Sequence, residues 1–282
     1  MKPPGCETLR EMGMRVTVVS DSHLSDLNPA ASRHWDAVVG HLAADPPDLV
    51  VHAGDAALDA GRAPAELRVV RQAMNRVPVP WTIVPGNHDL DGDVEGDDAA
   101  SLARFRAEVG PDRFSVALGA WRVLGVNAMT LGTGSTAEAE QWDWLAAELR
   151  PGSDPVLMVL HKPVVRPPID RRPNPQRYVP EPAGSRLLTL LAAATERPLV
   201  VSGHVHQHLQ HERDGITHVW APATWATLPD RIQPPVGDKV IGVLALTLHD
   251  DGCHEVELHH PGGRREAMLG VDVDDPYARL HA

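Results

Sequence analysis

The chain has 282 residues, of which 43% are hydrophobic and 23% are charged, a balance typical of a globular protein and not of a disordered or fibrous chain. Its net charge of −12 disfavours general nucleic-acid binding, which requires a basic surface. No stretch approaches the ~20 apolar residues of a membrane-spanning helix, so the sequence indicates no membrane segment.

The sequence contains two cysteines, Cys6 and Cys253, which are too few for a disulfide framework or a thiolate metal cage. The N-terminal segment lacks the apolar core of a secretory signal. Both features favour a cytoplasmic location. We expect a flexible N-terminal tail at residues 1–14, a single domain at 15–265 and an acidic C-terminal tail at 266–282.

Short apolar runs rich in Val, Leu and Ile predict strands that are buried on both faces. These runs are Arg15–Ser20, Asp48–Ala53, Pro80–Val84, Pro155–Leu160 and Pro198–Ser202. Helical periodicity predicts helices in other parts of the chain. They are expected at Pro29–Ala44, Ala63–Val77, Asp98–Val109, Thr136–Leu149 (with Thr136 as N-cap) and Ala183–Thr195. The βαβ spacing of about 30 residues between the first three strands is typical of parallel strands.

The remaining strands have a different pattern. Phe114–Leu118 and Trp121–Asn127 flank a Gly-containing turn and predict a hairpin. The C-terminal third alternates apolar and polar residues between Asp-Gly turns, which predicts antiparallel strands. These strands are expected at Gln207–Glu212, Ile216–Ala221, Val240–Leu248 and Cys253–His260.

Polar motifs follow the five apolar runs. They are Asp21-Ser22-His23, Gly54-Asp55, Gly86-Asn87-His88-Asp89, His161-Lys162-Pro163 and Gly203-His204-Val205-His206. Taken singly, Asp21-Ser22-His23 is better explained by a solvated loop and Gly54-Asp55 by a turn or a helix cap. The Gly86-Asn87-His88-Asp89 string is more specific, although a turn is its alternative explanation. Histidines after so many buried strands are difficult to explain by packing, because each imidazole would need its own buried partner. Together the motifs predict a metal site at one edge of the sheet, with oxygen and imidazole donors that suit Mn, Fe or Zn.

The motifs also suggest individual roles. Asp21 and His23 are two residues apart, and in extended chain their side chains would point the same way. Gly54 permits a sharp exit from its strand and leaves the carboxylate of Asp55 at the tip, where it could bridge two ions. In the third motif, Asn87 offers an amide oxygen, His88 is placed to bind a phosphate oxygen or to protonate a leaving group, and Asp89 is expected to orient His88.

The ordered set of motifs resembles the calcineurin-like metallophosphoesterase superfamily over about residues 15 to 225. The resemblance implies an α/β fold of two packed mixed β-sheets flanked by helices, a four-layer αββα sandwich, with a dinuclear metal centre at the carboxyl ends of the strands. It also implies the ligands. One metal would be held by Asp21, His23, Asp55 and His206, and the other by Asp55, Asn87, His161 and His204.

By this resemblance the reaction is phosphoester hydrolysis through attack of a metal-bridging hydroxide, with His88 assisting departure of the alcohol. Two divalent ions carry more positive charge than Asp21 and Asp55 carry negative charge, so the site would attract phosphate in spite of the acidic chain. The protein Ser/Thr phosphatases of this superfamily have the motif Gly-Asn-His-Glu, whereas this chain has Asp89 in the last position. The purple acid phosphatases have a tyrosine ligand, and no such tyrosine is evident in this sequence.

Three strings narrow the resemblance: Asp21-Ser-His-Leu-Ser, Gly203-His-Val-His-Gln and Ala221-Pro-Ala-Thr. They are similar to bacterial class III cyclic-nucleotide phosphodiesterases and their glycerophosphodiesterase relatives. We therefore expect a phosphodiesterase for a small nucleotide or glycerol-type ester, with a phosphomonoesterase as the alternative. A non-catalytic metal-binding scaffold or regulatory protein is the alternative of another class. Relatives of this kind are often dimers, so a homodimer is also expected.

A proline-rich, locally basic segment at 162–182 follows His161 and is a candidate substrate-binding rim, although a solvated connection explains it equally well. Six residues are substrate-contact candidates. They are Arg166, Arg171, Arg172, Tyr178, His208 and Trp225. The aromatic candidates could stack on a base, but packing is the simpler explanation for Trp225.

Overall fold

Two mixed β-sheets pack face to face and helices cover both outer faces. The computed structural model describes residues 13–90, 99–152, 154–171 and 174–277. The strands are β1 Met14–Val19, β2 Leu49–His52, β3 Trp81–Ile83, β4 Phe114–Leu118, β5 Trp121–Val126, β6 Val156–Leu160, β7 Leu199–Ser202, β8 Leu209–Arg213, β9 Ile216–Trp220, β10 Val243–Leu248 and β11 His254–His259. The helices are α1 Pro29–Ala44, α2 Glu66–Met74, α3 Ala99–Glu108, α4 Thr136–Glu148 and α5 Ala183–Ala194.

The first sheet has the strand order β11-β10-β1-β2-β3, in which β1, β2 and β3 are parallel. The second has the order β4-β5-β6-β7-β9-β8, with β5, β6, β7 and β9 parallel. Antiparallel pairs join β10 to β1 and β11 to β10 in the first sheet, and β4 to β5 and β8 to β9 in the second. Both sheets thus have a parallel centre, as the apolar runs predict.

The central strands are apolar throughout because each of them contacts two cores. Val18 and Val51 of the first sheet and Leu157 and Val201 of the second lie between the sheets. The next residue in β1, Val19, points to the opposite face and belongs to the core under α1 and α2. Full burial of each such side chain contributes about 1.5–3 kcal/mol. The four-layer αββα sandwich expected from the sequence is confirmed.

The element boundaries differ from the expected ones by a few residues. The N-cap of α4 is Ser135, whose hydroxyl accepts a hydrogen bond from the Glu138 backbone N–H at 3.0 Å, so Thr136 is the first helical residue and not the cap. The second helix is shorter than expected. The expected start of α3 at Asp98 lies outside the described residues. No helix within the described ranges combines the length and the apolar character needed to cross a bilayer.

Residues 267–277, here called the C-terminal strap, correct the expectation of a flexible acidic tail from residue 266. Ala267, Leu269 and Val273 are buried in the core beneath α1 and α2. The Thr227 N–H donates to the carbonyl of Ala267 at 2.7 Å, and the Leu269 N–H donates to the carbonyl of Thr227 at 3.0 Å. The acidic residues of the strap are exposed, while the apolar residues between them anchor it. Acidic composition alone therefore misled the prediction of the domain boundary.

At the other end, β1 already includes Met14, the last residue of the tail expected at 1–14, and residues 1–12 of that tail lie outside the described residues. Cys253 is buried just before β11. The other cysteine of the chain, Cys6, lies outside the described residues.

Candidate metal centre

Donor side chains lie beyond the ends of five strands and come from both sheets. The first sheet supplies Asp21, His23, Asp55 and Asn87, which follow β1, β2 and β3. The second sheet supplies His161, His204 and His206, which follow β6 and β7. Because the sheets pack face to face with these ends on the same side, the side chains meet in one place, as the sequence predicts.

A first donor group consists of Asp21, His23 and His206, all of them buried. Nε2 of His206 lies 3.3 Å from Nε2 of His23 and 3.4 Å from Oδ1 of Asp21. Ligand atoms about 3 Å apart fit a single ion with metal–ligand distances near 2 Å. Two of these residues belong to the first sheet and one to the second, so the group depends on the packing of the two sheets.

A second donor group consists of Asp55, His161 and His204, with Asn87 beside them. Nε2 of His161 lies 3.2 Å from Oδ2 of Asp55, 3.2 Å from Oδ1 of Asn87 and 3.2 Å from Nδ1 of His204. Oδ2 of Asp55 is also 4.0 Å from Nε2 of His23, which belongs to the first group. The Asp55 carboxylate therefore lies between the two groups, where a bridging ligand would have to be.

The backbone of this centre is strained. Among the described residues, non-glycine residues with positive φ number six, and five of them are donors. Those five are Asp21, His23, Asp55, His204 and His206. The left-handed region is costly for side chains with a Cβ, and such strain concentrates at functional sites. Asp21 and His23 are not in the extended chain that was expected, because both adopt positive φ, but their side chains do belong to the same donor group.

Two glycines permit the close approach of the loops that carry the donors. A Cβ at Gly86 would overlap the Asp55 carboxylate, and a Cβ at Gly203 would overlap the Ser20 hydroxyl and lie 2.8 Å from Oδ2 of Asp21. The loop that contains Gly203 is also hydrogen-bonded to the loop after β1, because the backbone N–H of His204 donates to Oδ2 of Asp21 at 3.0 Å. The glycines of the motifs are therefore required by packing between donor loops.

The protonation of the donors suits cation binding. Burial raises the pKa of Asp55, but the neighbouring His161, His88 and His23 outweigh burial and hold that pKa well below its usual value. Burial alone would lower the pKa of His161, whereas the Asp55 carboxylate raises it to about 9. Burial and the charge of His88 keep the pKa of His23 low. A divalent cation could therefore take the place of the His161 proton beside an ionised carboxylate.

Three donor histidines also have hydrogen-bond partners at Nδ1, the ring nitrogen that faces away from the donor groups. Nδ1 of His161 lies 2.8 Å from the carbonyl oxygen of Ala53, and Nδ1 of His206 lies 2.6 Å from that of Ala226. Partners of this kind fix the ring orientation and tautomer of histidine ligands. The corresponding nitrogen of His23 lies 3.0 Å from the hydroxyl of Tyr277 in the C-terminal strap. Sequence analysis missed Tyr277, since no motif surrounds it.

His88 lies at the mouth of the centre. Its imidazole is half-buried and 4.9 Å from the ring of His23, and its backbone N–H donates to Oδ1 of Asp55 at 2.8 Å. The expectation that Asp89 orients His88 is not met. The buried Asp89 carboxylate instead accepts hydrogen bonds from the backbone N–H groups of Ala57 and Gly86, at 2.7 and 2.9 Å. Asp89 therefore holds the loop that carries Asn87 and His88.

The substrate-contact candidates have different positions. Trp225 is fully buried, with its ring 5.1 Å from that of His23, so it supports a donor and offers no face for a base. Tyr178 is buried and donates its hydroxyl hydrogen bond to Asp170 at 2.6 Å, which also excludes stacking on a base. Nδ1 of His208 is 3.0 Å from the carbonyl oxygen of Trp220, and His208 joins neither donor group.

The arginine candidates remain predictions. Arg166 and Arg171 are exposed in the segment that follows β6, where a guanidinium could reach a bound anion. Arg172 lies outside the described residues.

The chain is similar to known proteins in sequence and in fold. A probable cyclic nucleotide phosphodiesterase from Synechococcus is 26% identical over 255 residues, which cover 88% of this chain and 92% of that protein. A dimetal phosphatase from Danio rerio has a TM-score of 0.62 at 14% identity and is covered to 96%, with 88% of this chain aligned. GAP50, the anchor in the inner membrane complex of Plasmodium, has a TM-score of 0.65 at 12% identity, covering 96% of this chain and 94% of its own.

The two structural likenesses concern the fold alone, and one of the two proteins is described as an anchor, so chemistry has to be argued from the donor residues. The family model of the calcineurin-like phosphoesterases matches residues 14–208, which include every donor residue. The chain therefore belongs to the calcineurin-like phosphoesterase family.

Proposed function

We propose that this protein is a phosphodiesterase that uses two metal ions to hydrolyse a small nucleotide or glycerol-type diester. The observation that carries the proposal is the position of Asp55 between two donor groups, which fits a pair of ions sharing one carboxylate. Carboxylate, amide and imidazole donors together favour Mn, Fe or Zn over Mg or Ca. When bound, such ions supply positive charge for a phosphoryl group and lower the pKa of water towards neutrality.

The side chains of the protein supply the remaining requirements. His88 is the half-buried group at the mouth, so it is placed to donate a proton to the departing alkoxide oxygen. Asp21, His161 and His206 are buried away from bulk water, and this burial strengthens the electrostatic interactions of the site. Asp89 keeps the His88 loop in place through its backbone hydrogen bonds.

The preference for a diester rests on sequence similarity. The relative from Synechococcus carries the name of a probable cyclic nucleotide phosphodiesterase and aligns over most of both chains. A phosphomonoesterase is the second candidate, because the same donor set would serve it. A scaffold without turnover is the third candidate, and GAP50, which has a similar fold, is described as an anchor.

One experiment separates the three candidates. The full chain is loaded with Mn²⁺ or Zn²⁺, its metal content is determined, and kcat/KM is measured for 3′,5′-cyclic nucleotides, glycerophosphodiesters and nucleoside monophosphates. Preference for diesters with two bound ions supports the proposal. Hydrolysis of monoesters alone supports the second candidate, and two bound ions without any turnover support the scaffold.

We also propose that the exposed arginines of the 162–182 segment contact the substrate. In that case Arg166→Ala or Arg171→Ala raises KM for a nucleotide diester and leaves kcat near the wild-type value. The reason is that the lost contact stabilises the bound substrate and the transition state equally. An unchanged KM in both variants identifies the segment as a solvated connection.

A homodimer and a cytoplasmic location are further proposals. Size-exclusion chromatography with light scattering tests the oligomeric state. Reaction of Cys253 with a maleimide tests the compartment, because a cytoplasmic thiol is kept reduced. The protein is extracted under non-reducing conditions and unfolded in urea before the reaction, since Cys253 is buried in the folded chain. Protection of Cys253 from the reagent would contradict a cytoplasmic location.

A further inference from the structure

The C-terminal strap ends in a tyrosine that lies against a donor histidine. The hydroxyl oxygen of Tyr277 is 3.0 Å from Nδ1 of His23. The Tyr277 ring meets the His23 ring edge-on, with centroids 6.3 Å apart and an interplanar angle of 80°. His88 lies on another side of the same phenol, with ring centroids 5.6 Å apart. The phenol thus contacts the imidazoles of both a donor and the proposed acid.

The strap brings this phenol to the centre through apolar anchoring. Leu269 and Val273 are buried among core residues, and the strap is hydrogen-bonded to Thr227, two residues beyond the buried Trp225. The Trp225 ring in turn lies 5.1 Å from His23. His23 is therefore enclosed by the strap and by the segment to which the strap is hydrogen-bonded.

The contact has a chemical consequence for His23. Nε2 of His23 faces the first donor group, since it lies 3.3 Å from Nε2 of His206. A neutral imidazole that offers a lone pair at Nε2 must carry its hydrogen at Nδ1. That hydrogen needs an acceptor, and the Tyr277 hydroxyl oxygen is the acceptor within reach. For His161 and His206 the corresponding acceptors are backbone carbonyls, which no substitution of a side chain removes directly.

We propose that Tyr277 is a positioning residue for the metal centre, which accepts a hydrogen bond from Nδ1 of His23 and thereby directs Nε2 towards the ion of the first donor group. The inference rests on the proposed two-metal function and adds to it a residue outside the matched family region of 14–208. It makes occupancy of the first group depend on docking of the strap.

The variant Tyr277→Phe tests the inference, because it removes one oxygen and keeps the ring. Binding of Mn²⁺ and of Co²⁺ to the full chain is measured by titration calorimetry, and the visible absorption of the Co²⁺ protein reports on coordination. We expect the affinity for one of the two ions to fall by about 10–100-fold, as is typical when the partner of a ligand histidine is lost. The other ion should bind as in the wild type.

The chain offers a matched control in its other tyrosine. Tyr178→Phe also removes a buried hydroxyl with a hydrogen bond, but the partner of that hydroxyl is Asp170, which belongs to neither donor group. Tyr178→Phe should lower the urea midpoint of unfolding and leave the affinity for both ions unchanged. The urea midpoint of metal-free Tyr277→Phe is measured alongside, to separate loss of folding from loss of binding.

The outcomes are distinct. A selective loss of one ion in Tyr277→Phe, with Tyr178→Phe unaffected, supports the inference. Unchanged affinity for both ions in Tyr277→Phe, or an equal loss in both tyrosine variants, overturns it. If the wild type itself binds fewer than two ions, the proposed function fails before the role of Tyr277 is tested, so the two failures are distinguishable.

Discussion

Oδ2 of Asp55 lies 3.2 Å from Nε2 of His161, and the two side chains are buried together. The same oxygen is 4.0 Å from Nε2 of His23 in the other donor group. Each group combines residues of both sheets, so the Asp55 carboxylate lies at the junction of donors from five strand ends. Its loss should therefore affect both ions and not only one.

The substitution Asp55→Ala should reduce metal content to one ion or fewer per chain. We expect kcat/KM to fall by about 10³-fold or more, because several kcal/mol of charge stabilisation by the ions is lost. Metal analysis by mass spectrometry and steady-state kinetics on the same sample check this. The exposed Asp26 provides a matched control, and Asp26→Ala should retain two ions and full activity. Two bound ions in Asp55→Ala would contradict a bridging role.

The role of His88 as acid can be tested through the leaving group. In His88→Ala, kcat should fall by about 10²–10⁴-fold for a diester with an alkyl or nucleoside leaving group, which needs a proton on departure. The loss should be much smaller for a 4-nitrophenyl ester, because nitrophenolate leaves without protonation. Metal content should stay at two ions. An equal loss with both leaving groups would show that His88 acts by binding the phosphate instead.

The positions of the donors were predictable, because their prediction needed only strand ends and parallel order. The apolar run before Asp21 and the one before His161 both became buried strands with the donor just beyond the end. Local conformation was not predictable in the same way. The positive φ of His23 and His204 depends on contacts between loops from different sheets, and the sequence around each residue does not specify those contacts.

Contacts made by single residues over long sequence distances were also beyond prediction. Asp89 neighbours His88 in the chain, but its carboxylate turns towards the backbone of Ala57. Tyr277 lies in a segment whose acidic residues suggested a tail, and only the alternation of buried Leu269 and Val273 with exposed residues shows why it docks. Composition averages over such alternation and therefore misses it.

Gly203 should tolerate no side chain. In Gly203→Ala the new Cβ overlaps the Ser20 hydroxyl and crowds the Asp21 carboxylate, so we expect a loss of about 1–3 kcal/mol in the free energy of unfolding, with weaker metal binding. Gly40→Ala is the matched control, since Gly40 is exposed within α1 and a Cβ there meets no atom within 4 Å. That control should gain about 1 kcal/mol from helix propensity. Urea unfolding measures both, and equal behaviour of the two variants would refute the packing argument.

Acid should destabilise the protein through His218, which lies outside the metal centre. Burial, followed by the charges of His211 and Arg213, lowers the pKa of His218 to about 3 in the folded chain, against about 6.5 when unfolded. Between these pKa values the unfolded chain binds a proton and the folded chain does not. Above about pH 6.5, His218 therefore does not change the free energy of unfolding with pH. Below about pH 6.5, its protonation in the unfolded chain lowers the free energy of unfolding by about 1.4 kcal/mol per pH unit.

The variant His218→Phe keeps a ring of similar size against His211, whose imidazole stacks on His218 at an interplanar angle of 14°. Urea unfolding at pH 7 and pH 5 should show that the variant loses about 2 kcal/mol less than the wild type between these two conditions. His249→Phe, just beyond β10, removes a histidine elsewhere and should keep the wild-type loss. If His218→Phe shows the same acid loss as the wild type, His218 takes up its proton in the folded state as readily as in the unfolded chain, which would contradict a lowered pKa.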